Sequence, residues 1–171
     1  MKKTFSELLL GGDLRKLRSN HKAVEAVYDQ ASFDELFGLI FHHERPLVMR
    51  AADAVEKITL RHPAYLNPHK AQLMAVFKSA DHKELKWHMA QLLPRVELSG
   101  TELNEVWHIL SYWVRNSNES KIVRVNALQG LYDLSRQHVD RQAEFNTVVA
   151  DLEHELIPSL QARIHKLKKK L

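Results

Sequence analysis

Residues 85–96 read Leu-Lys-Trp-His-Met-Ala-Gln-Leu-Leu-Pro-Arg-Val, with Leu85, Met89, Leu92 and Val96 at i, i+4, i+7 and i+11. That spacing lines one stripe of an α-helix. Thirty-eight residues earlier the stripe recurs as Leu47, Ala51, Ala54 and Ile58. It returns 38 residues later as Val123, Ala127, Gly130 and Leu134, and after 37 more as Leu160, Ile164, Leu167 and Leu171. A second stripe precedes each of these. Phe33, Leu36, Phe37 and Ile40 correspond to Lys70, Leu73, Met74 and Phe77, then to Leu103, Val106, Trp107 and Leu110, then to Phe145, Val148, Val149 and Leu152. Each unit is therefore an antiparallel helix pair whose apolar face needs the next pair to cover it.

Turn chemistry separates the helices. Residues 1–20 read as a partly helical cap around Leu8, Leu9, Leu10, Leu14 and Leu17, interrupted by Gly11-Gly12. Asn20 is expected to N-cap a short helix over residues 21–30, and Ser32 the next one, with Asp34 and Glu35 in its first turn. Residues 42–46 form a turn, and His62-Pro63 closes the helix that starts at Leu47. Ser99-Gly100-Thr101 and residues 116–120 are turns, and Asp140 or a neighbour starts the last pair. Pro94 should bend or shorten its helix. Gly130 occupies a stripe position held elsewhere by Ala54, Leu92 and Leu167, which predicts a close helix approach. No Gly/Pro/Ser-rich linker divides the chain. The expected organisation is one all-α domain over 1–171, with a cap at 1–30 and repeats at about 31–62, 68–97, 100–137 and 141–171, in eight or nine helices.

Composition narrows the class further. Of 171 residues, 44% are hydrophobic and 27% charged, which describes a soluble globular chain. The absence of cysteine excludes disulfides and thiolate metal sites, and a cytoplasmic location fits best. The basic start Met1-Lys2-Lys3 is followed by an apolar run of only Leu8-Leu9-Leu10, too short for a signal peptide. No run approaches the roughly 20 apolar residues of a membrane helix. The net charge of +4 is local: residues 158–171 carry +5, and the other 157 residues, with 20 basic and 21 acidic side chains, carry −1. A basic helix end complements the helix dipole, so the tail is read as a solubilising terminus rather than a polyanion site.

Residues 46–58 and 122–131, with their Val/Ile-Arg starts and Ala-rich centres, resemble the second helix of HEAT repeats, the armadillo-type α-solenoid. Residues 50–57 and 87–95 resemble small bacterial HEAT-repeat proteins of unassigned activity. The resemblance covers about residues 30–171 and implies a right-handed α-solenoid of stacked antiparallel helix pairs. In such solenoids the second helices line the concave surface. On the helical wheel Arg50, Asp53 and Lys57 form a narrow polar strip, and the repeat shifts carry it to His88, Gln91 and Arg95, to Asn126, Gln129 and Asp133, and to Arg163, Lys166 and Lys170. The resemblance implies that these twelve residues line the inner face, with Arg50, His88, Asn126 and Arg163 in one row. A polar outer face of any amphipathic helix has the same pattern.

Other chemistry is thin. Trp107 and Trp87 fall on apolar positions and read as packing residues, and Trp113, beside Tyr112, is freer but as a helix-end aromatic is also expected to pack. His42-His43-Glu44 has the residue types of a metal site, but adjacent side chains on a turn are expected to diverge. His154-Glu155 lacks the second histidine of a zinc-protease motif. The chain has no nucleophile-elbow, P-loop or dinucleotide-binding pattern, and Asp151 and Glu153 face different sides of a helix. No catalytic residue, metal or cofactor is assigned. The expected function is a non-enzymatic scaffold that binds a protein or peptide partner, as a monomer or weak dimer away from membranes. The alternative is nucleic-acid binding, including a resemblance to HEAT-like alkylpurine DNA glycosylases, with Asp53 or Asp133 as the acid and Arg50, Arg95 and Lys166 on phosphates. A third resemblance, to HEAT-like phycobilin lyase proteins, has no residue to support it.

Overall fold

Polar caps decide where the helices of the chain begin. In the computed structural model, which describes residues 3–10 and 19–170, Ser99 accepts the amide of Glu102 while Glu102 accepts the amide of Ser99 at 2.7 Å. This reciprocal box satisfies two amides that the first helical turn leaves open. Ser120 caps the following helix through the amide of Val123. Near the N-terminus the box is made by Asp29 and Ser32, and Asp29 is the cap. This corrects the expectation for Ser32, which sits at the third helical position; Asp34 and Glu35 therefore lie beyond the first turn.

Ten α-helices are present among the described residues, more than the eight or nine expected, because the 1–30 segment supplies two. They are α1 (Phe5–Leu10), α2 (Ser19–Ala26), α3 (Gln30–Gly38), α4 (Arg45–Thr59), α5 (Lys70–Ser79), α6 (Lys83–Leu92), α7 (Gly100–Arg115), α8 (Lys121–Gln137), α9 (Gln142–Leu152) and α10 (Pro158–Lys168). Short 3₁₀ turns follow α3, α4, α6 and α8, and the described residues contain no strand. The turn Leu93–Arg95 ends α6 at Pro94, which has no amide hydrogen to continue the ladder. None of these helices is long and apolar enough to cross a membrane. Gly11, Gly12, Leu14, Leu17 and Leu171, which figured in the expected cap and last stripe, lie outside the described residues.

The chain forms two compact units, residues 1–69 and 70–171. In the first, α4 packs against α1, α2, α3 and both flanking 3₁₀ turns. Its stripe Leu47, Ala51, Ala54 and Ile58 is buried, as are Phe33, Leu36, Phe37 and Ile40 on the preceding helix and turn. Asn20 lies inside α2 rather than capping it. It is buried, and its amide donates to Asp53 at 2.5 Å.

In the second unit α6, α8 and α10 lie flank to flank. Helix α5 packs on α6, and α7 packs on α8 and α9. The described stripe residues are buried here too, with Lys70 and Leu85 half-buried as the exceptions. One repeat position clips successive pairs together. Lys86 on α6 pairs with Glu119 in the α7–α8 loop at 2.5 Å. Thirty-eight residues on, Arg124 of α8 is 1% exposed; it donates to the Val114 carbonyl at 2.8 Å and to Glu155 in the α9–α10 loop at 2.6 Å. Thirty-seven further, Gln161 bonds the backbone of that same loop at Leu152 and Glu155.

Gly130 marks a close approach in this packing. A Cβ there would stand 2.6 Å from the Ala90 carbonyl oxygen on α6, 3.1 Å from Leu110 and 3.5 Å from Pro94. Backbone stands opposite, so a larger residue requires α6 and α8 to separate. Gly130→Leu is expected to lower stability by about 1–3 kcal/mol, as overpacking does. Urea unfolding of the full chain checks this; an unchanged midpoint would show that the seam yields without loss.

Candidate polar strip on the second helices

The strip residues of the first unit are held by one another and by neighbouring helices. Arg50, half-buried on α4, donates through Nη1 to the carbonyl of Leu9, near the C-terminal end of α1, where helix carbonyls lack intrahelical partners. Asp53 accepts from Asn20 and from Lys57, the latter at 2.6 Å. Lys57 is exposed at the end of this chain of bonds.

In the second unit the strip converges on Asp133. Gln129, one turn earlier on α8, donates to Asp133 Oδ1 at 2.8 Å. Its carbonyl oxygen accepts from Arg163 Nη1 of α10 at 2.6 Å. Arg95, in the turn after α6, and Lys170, just past α10, also act electrostatically on the Asp133 carboxylate. Burial nevertheless prevails, and the Asp133 pKa is raised above the ordinary aspartate value, with Gln129 and the cations opposing. Thus helices α6, α8 and α10, or the turns that end them, each contribute to one polar patch. Asn126 bonds the Ile122 carbonyl one turn back, Gln91 reaches the Trp87 carbonyl, and Lys166 is exposed on α10.

His88 departs from expectation. Its phase matched a polar strip, yet it is 4% exposed, with its ring beside Trp87. His88 is thus a packed histidine rather than one on the open surface. Trp113 packs, as expected of a helix-end aromatic. It is buried and meets Phe77 edge to face at 4.9 Å, whereas Trp87 is half-buried. Trp107 is buried as expected and carries the Arg141 guanidinium over its ring. The turn at residues 42–44 does not splay its side chains. The His42 and His43 rings stack at 4.2 Å, and donor atoms of His42, His43 and Glu44 lie within 4.8 Å of one another. The Glu44 amide already bonds His42 Nδ1, and the cluster sits on an exposed surface. Sequence reasoning also missed the column Lys86, Arg124 and Gln161, whose signal was its recurrence at the repeat spacing.

Helix pairs whose second helices lie flank to flank define an all-α helical-repeat protein. The model of the HEAT repeat domain family matches residues 10–171, and the chain belongs to that family. Neither a curated protein nor a solved structure gives a significant match.

Because the folded-state pKa of Asp133 is raised, its contribution to stability is complete below the unfolded pKa and is lost as pH rises through the folded value. Asp133→Asn keeps an acceptor for Gln129 and cannot ionise. Its stability relative to the parent should therefore be least at acidic pH and increase toward neutrality. Melting temperatures of both proteins across this range test the sign; a stability of the variant relative to the parent that falls as pH rises would show that the cations outweigh burial.

Proposed function

We propose that this chain is a non-enzymatic interaction scaffold that binds a protein or peptide partner through the polar strip of its second helices. The observation that carries this reading is the Asp133 patch. Three successive helical pairs each place a side chain there, and Arg95, Arg163 and Lys170 outnumber the single carboxylate. Such a surface presents directional donors to an extended acidic segment, with affinity from several charge-assisted bonds rather than one pocket. Arg50, Asp53 and Lys57 provide the corresponding strip of the first unit. Gln91, Asn126 and Lys166 extend the second. In this reading the protein works in the cytoplasm as a monomer or weak dimer.

The same patch supports a second reading. An aspartate among cations is also what a nucleic-acid-binding protein of the alkylpurine glycosylase type would carry, with Asp133 near the reacting sugar and Arg95 on a phosphate. The near-neutral body, −1 over the 157 residues before the basic tail, favours the peptide.

One experiment separates them. The Arg95→Ala/Arg163→Ala protein should lose partners that the parent captures from nuclease-treated cytosol, while its melting temperature stays within a few degrees. Duplex DNA should bind the parent weakly. Undiminished capture by the double variant would remove the strip from the interface. Duplex binding with a steep salt slope, also lost in the double variant, would favour the nucleic-acid reading.

A further inference from the structure

The first unit carries a second surface that the strip does not explain. Between α2, the C-terminal end of α4 and the turn Pro63–His69 lies a groove of about 1130 Å³. Its walls are largely apolar, from Val24 and Val27 on one side to Ile58 and Leu60 on the other. Tyr28 is 68% exposed and Leu60 67%, unusually high for large apolar residues that share one depression. Contiguous exposed apolar surface of this kind marks interaction sites.

The rim has one dominant sign. Lys22, Lys57 and Arg61 line it, together with His21 and His62. Among the described residues the only acid of the lining is Glu25, and His21 Nδ1 stands 3.2 Å from its carboxylate. Lys57 is braced by Asp53 at 2.6 Å, which fixes an ammonium at the edge.

Size and charge together select the occupant. The groove exceeds the ~300–1,000 Å³ of typical small-molecule sites. An apolar floor with a cationic rim complements a segment whose apolar side chains face inward and whose carboxylates face the edges. An amphipathic helix with anchors at i and i+3 or i+4 has that form. Nucleobases are a poorer match, because they bind by stacking on aromatic faces and much of this wall is aliphatic.

We propose that the groove between α2 and the end of α4 binds an acidic amphipathic helical segment of a partner protein. This rests on the scaffold reading but uses a different surface from the Asp133 patch.

The test uses the full chain and a labelled peptide of about 14 residues with Leu at i, i+3, i+4 and i+7 and Glu elsewhere. Fluorescence anisotropy should give an affinity at least about tenfold tighter than for peptides with Glu replaced by Lys, or Leu by Ala. Two variants alter the groove, Tyr28→Ala/Leu60→Ala for its exposed apolar surface and Lys22→Glu/Arg61→Glu for its rim. Each should weaken binding by about tenfold or more, with circular-dichroism melts confirming the fold. The groove variants should weaken peptide binding by the same factor when combined with Arg95→Ala/Arg163→Ala, which separates the groove from the Asp133 patch. Failure of the acidic peptide to bind, equal binding of the Lys peptide, or displacement by a single-stranded oligonucleotide would overturn the proposal. So would loss of peptide binding in the Arg95/Arg163 variant with the groove variants unaffected, an outcome that leaves the scaffold reading standing.

Discussion

The approach of α8 to α6 at Gly130 sets the geometry of the second unit. With a backbone carbonyl 2.6 Å from where a side chain would begin, only a residue without Cβ allows this spacing. Gln129 is the neighbour of Gly130, and Asp133 lies one turn further along the same helix. The seam therefore holds the acidic end of the strip next to Arg95, which follows α6. Helix α10 packs on α8 and brings Arg163 to Gln129. A contact made by a residue with no side chain thus positions the polar chemistry beside it.

The second constraint is the recurring clip at Lys86 and Arg124. Both reach across a helix pair to a carboxylate in the following interhelical loop. Arg124 is the more demanding case, since it is 1% exposed and its Nη1 atom has no hydrogen-bond partner. Desolvating a guanidinium offsets much of the gain from its carboxylate. The pair therefore adds less net stability than its short distance suggests. Its clearer effect is on register: a shifted neighbour would leave the charge buried and uncompensated, which costs about 3–5 kcal/mol.

Helical phase made much of the fold legible. The stripes from Leu47 to Leu167 named the core because a 3.6-residue period fixes which side chains share a face. Gly130 was legible for the same reason, as a small residue in a column of larger ones. What phase cannot give is what covers a face from outside. His88 has the phase of Arg50 and Asn126, yet the packing around α6 buries it. Trp113 was expected to pack, but its partner, the edge of Phe77 36 residues earlier, is invisible in local pattern. One helix start was misread by three residues where two capping residues stand three apart: Asp29 and Ser32 satisfy each other, and the outer one begins the helix. The clip column was legible in principle, but Lys, Arg and Gln at one position read as an ordinary wet face until the loop carboxylates are in place.

For the candidate site, local arrangement says more than net charge. The overall +4 reflects a tail of five basic residues, and the remaining body is nearly neutral. In the second unit the strip offers Arg95, Arg163, Lys166 and Lys170 against Asp133. Duplex-binding proteins that make about 6–10 phosphate contacts draw most of their affinity from releasing counterions. Four cations with a carboxylate among them fall short of that number, and the half-buried Asp133 would stand near any phosphate on the patch. A polypeptide tolerates this mixture better. Its carboxylates can meet Arg95 and Arg163, while its backbone amides donate to Asp133 and its carbonyls accept from Gln129. The burial that raises the Asp133 pKa makes this exchange conditional: protonated, the group can also donate, and the patch then gains a positive charge relative to its ionised form. For an acidic segment bound as proposed, protonating Asp133 would remove a carboxylate that opposes the cations from within.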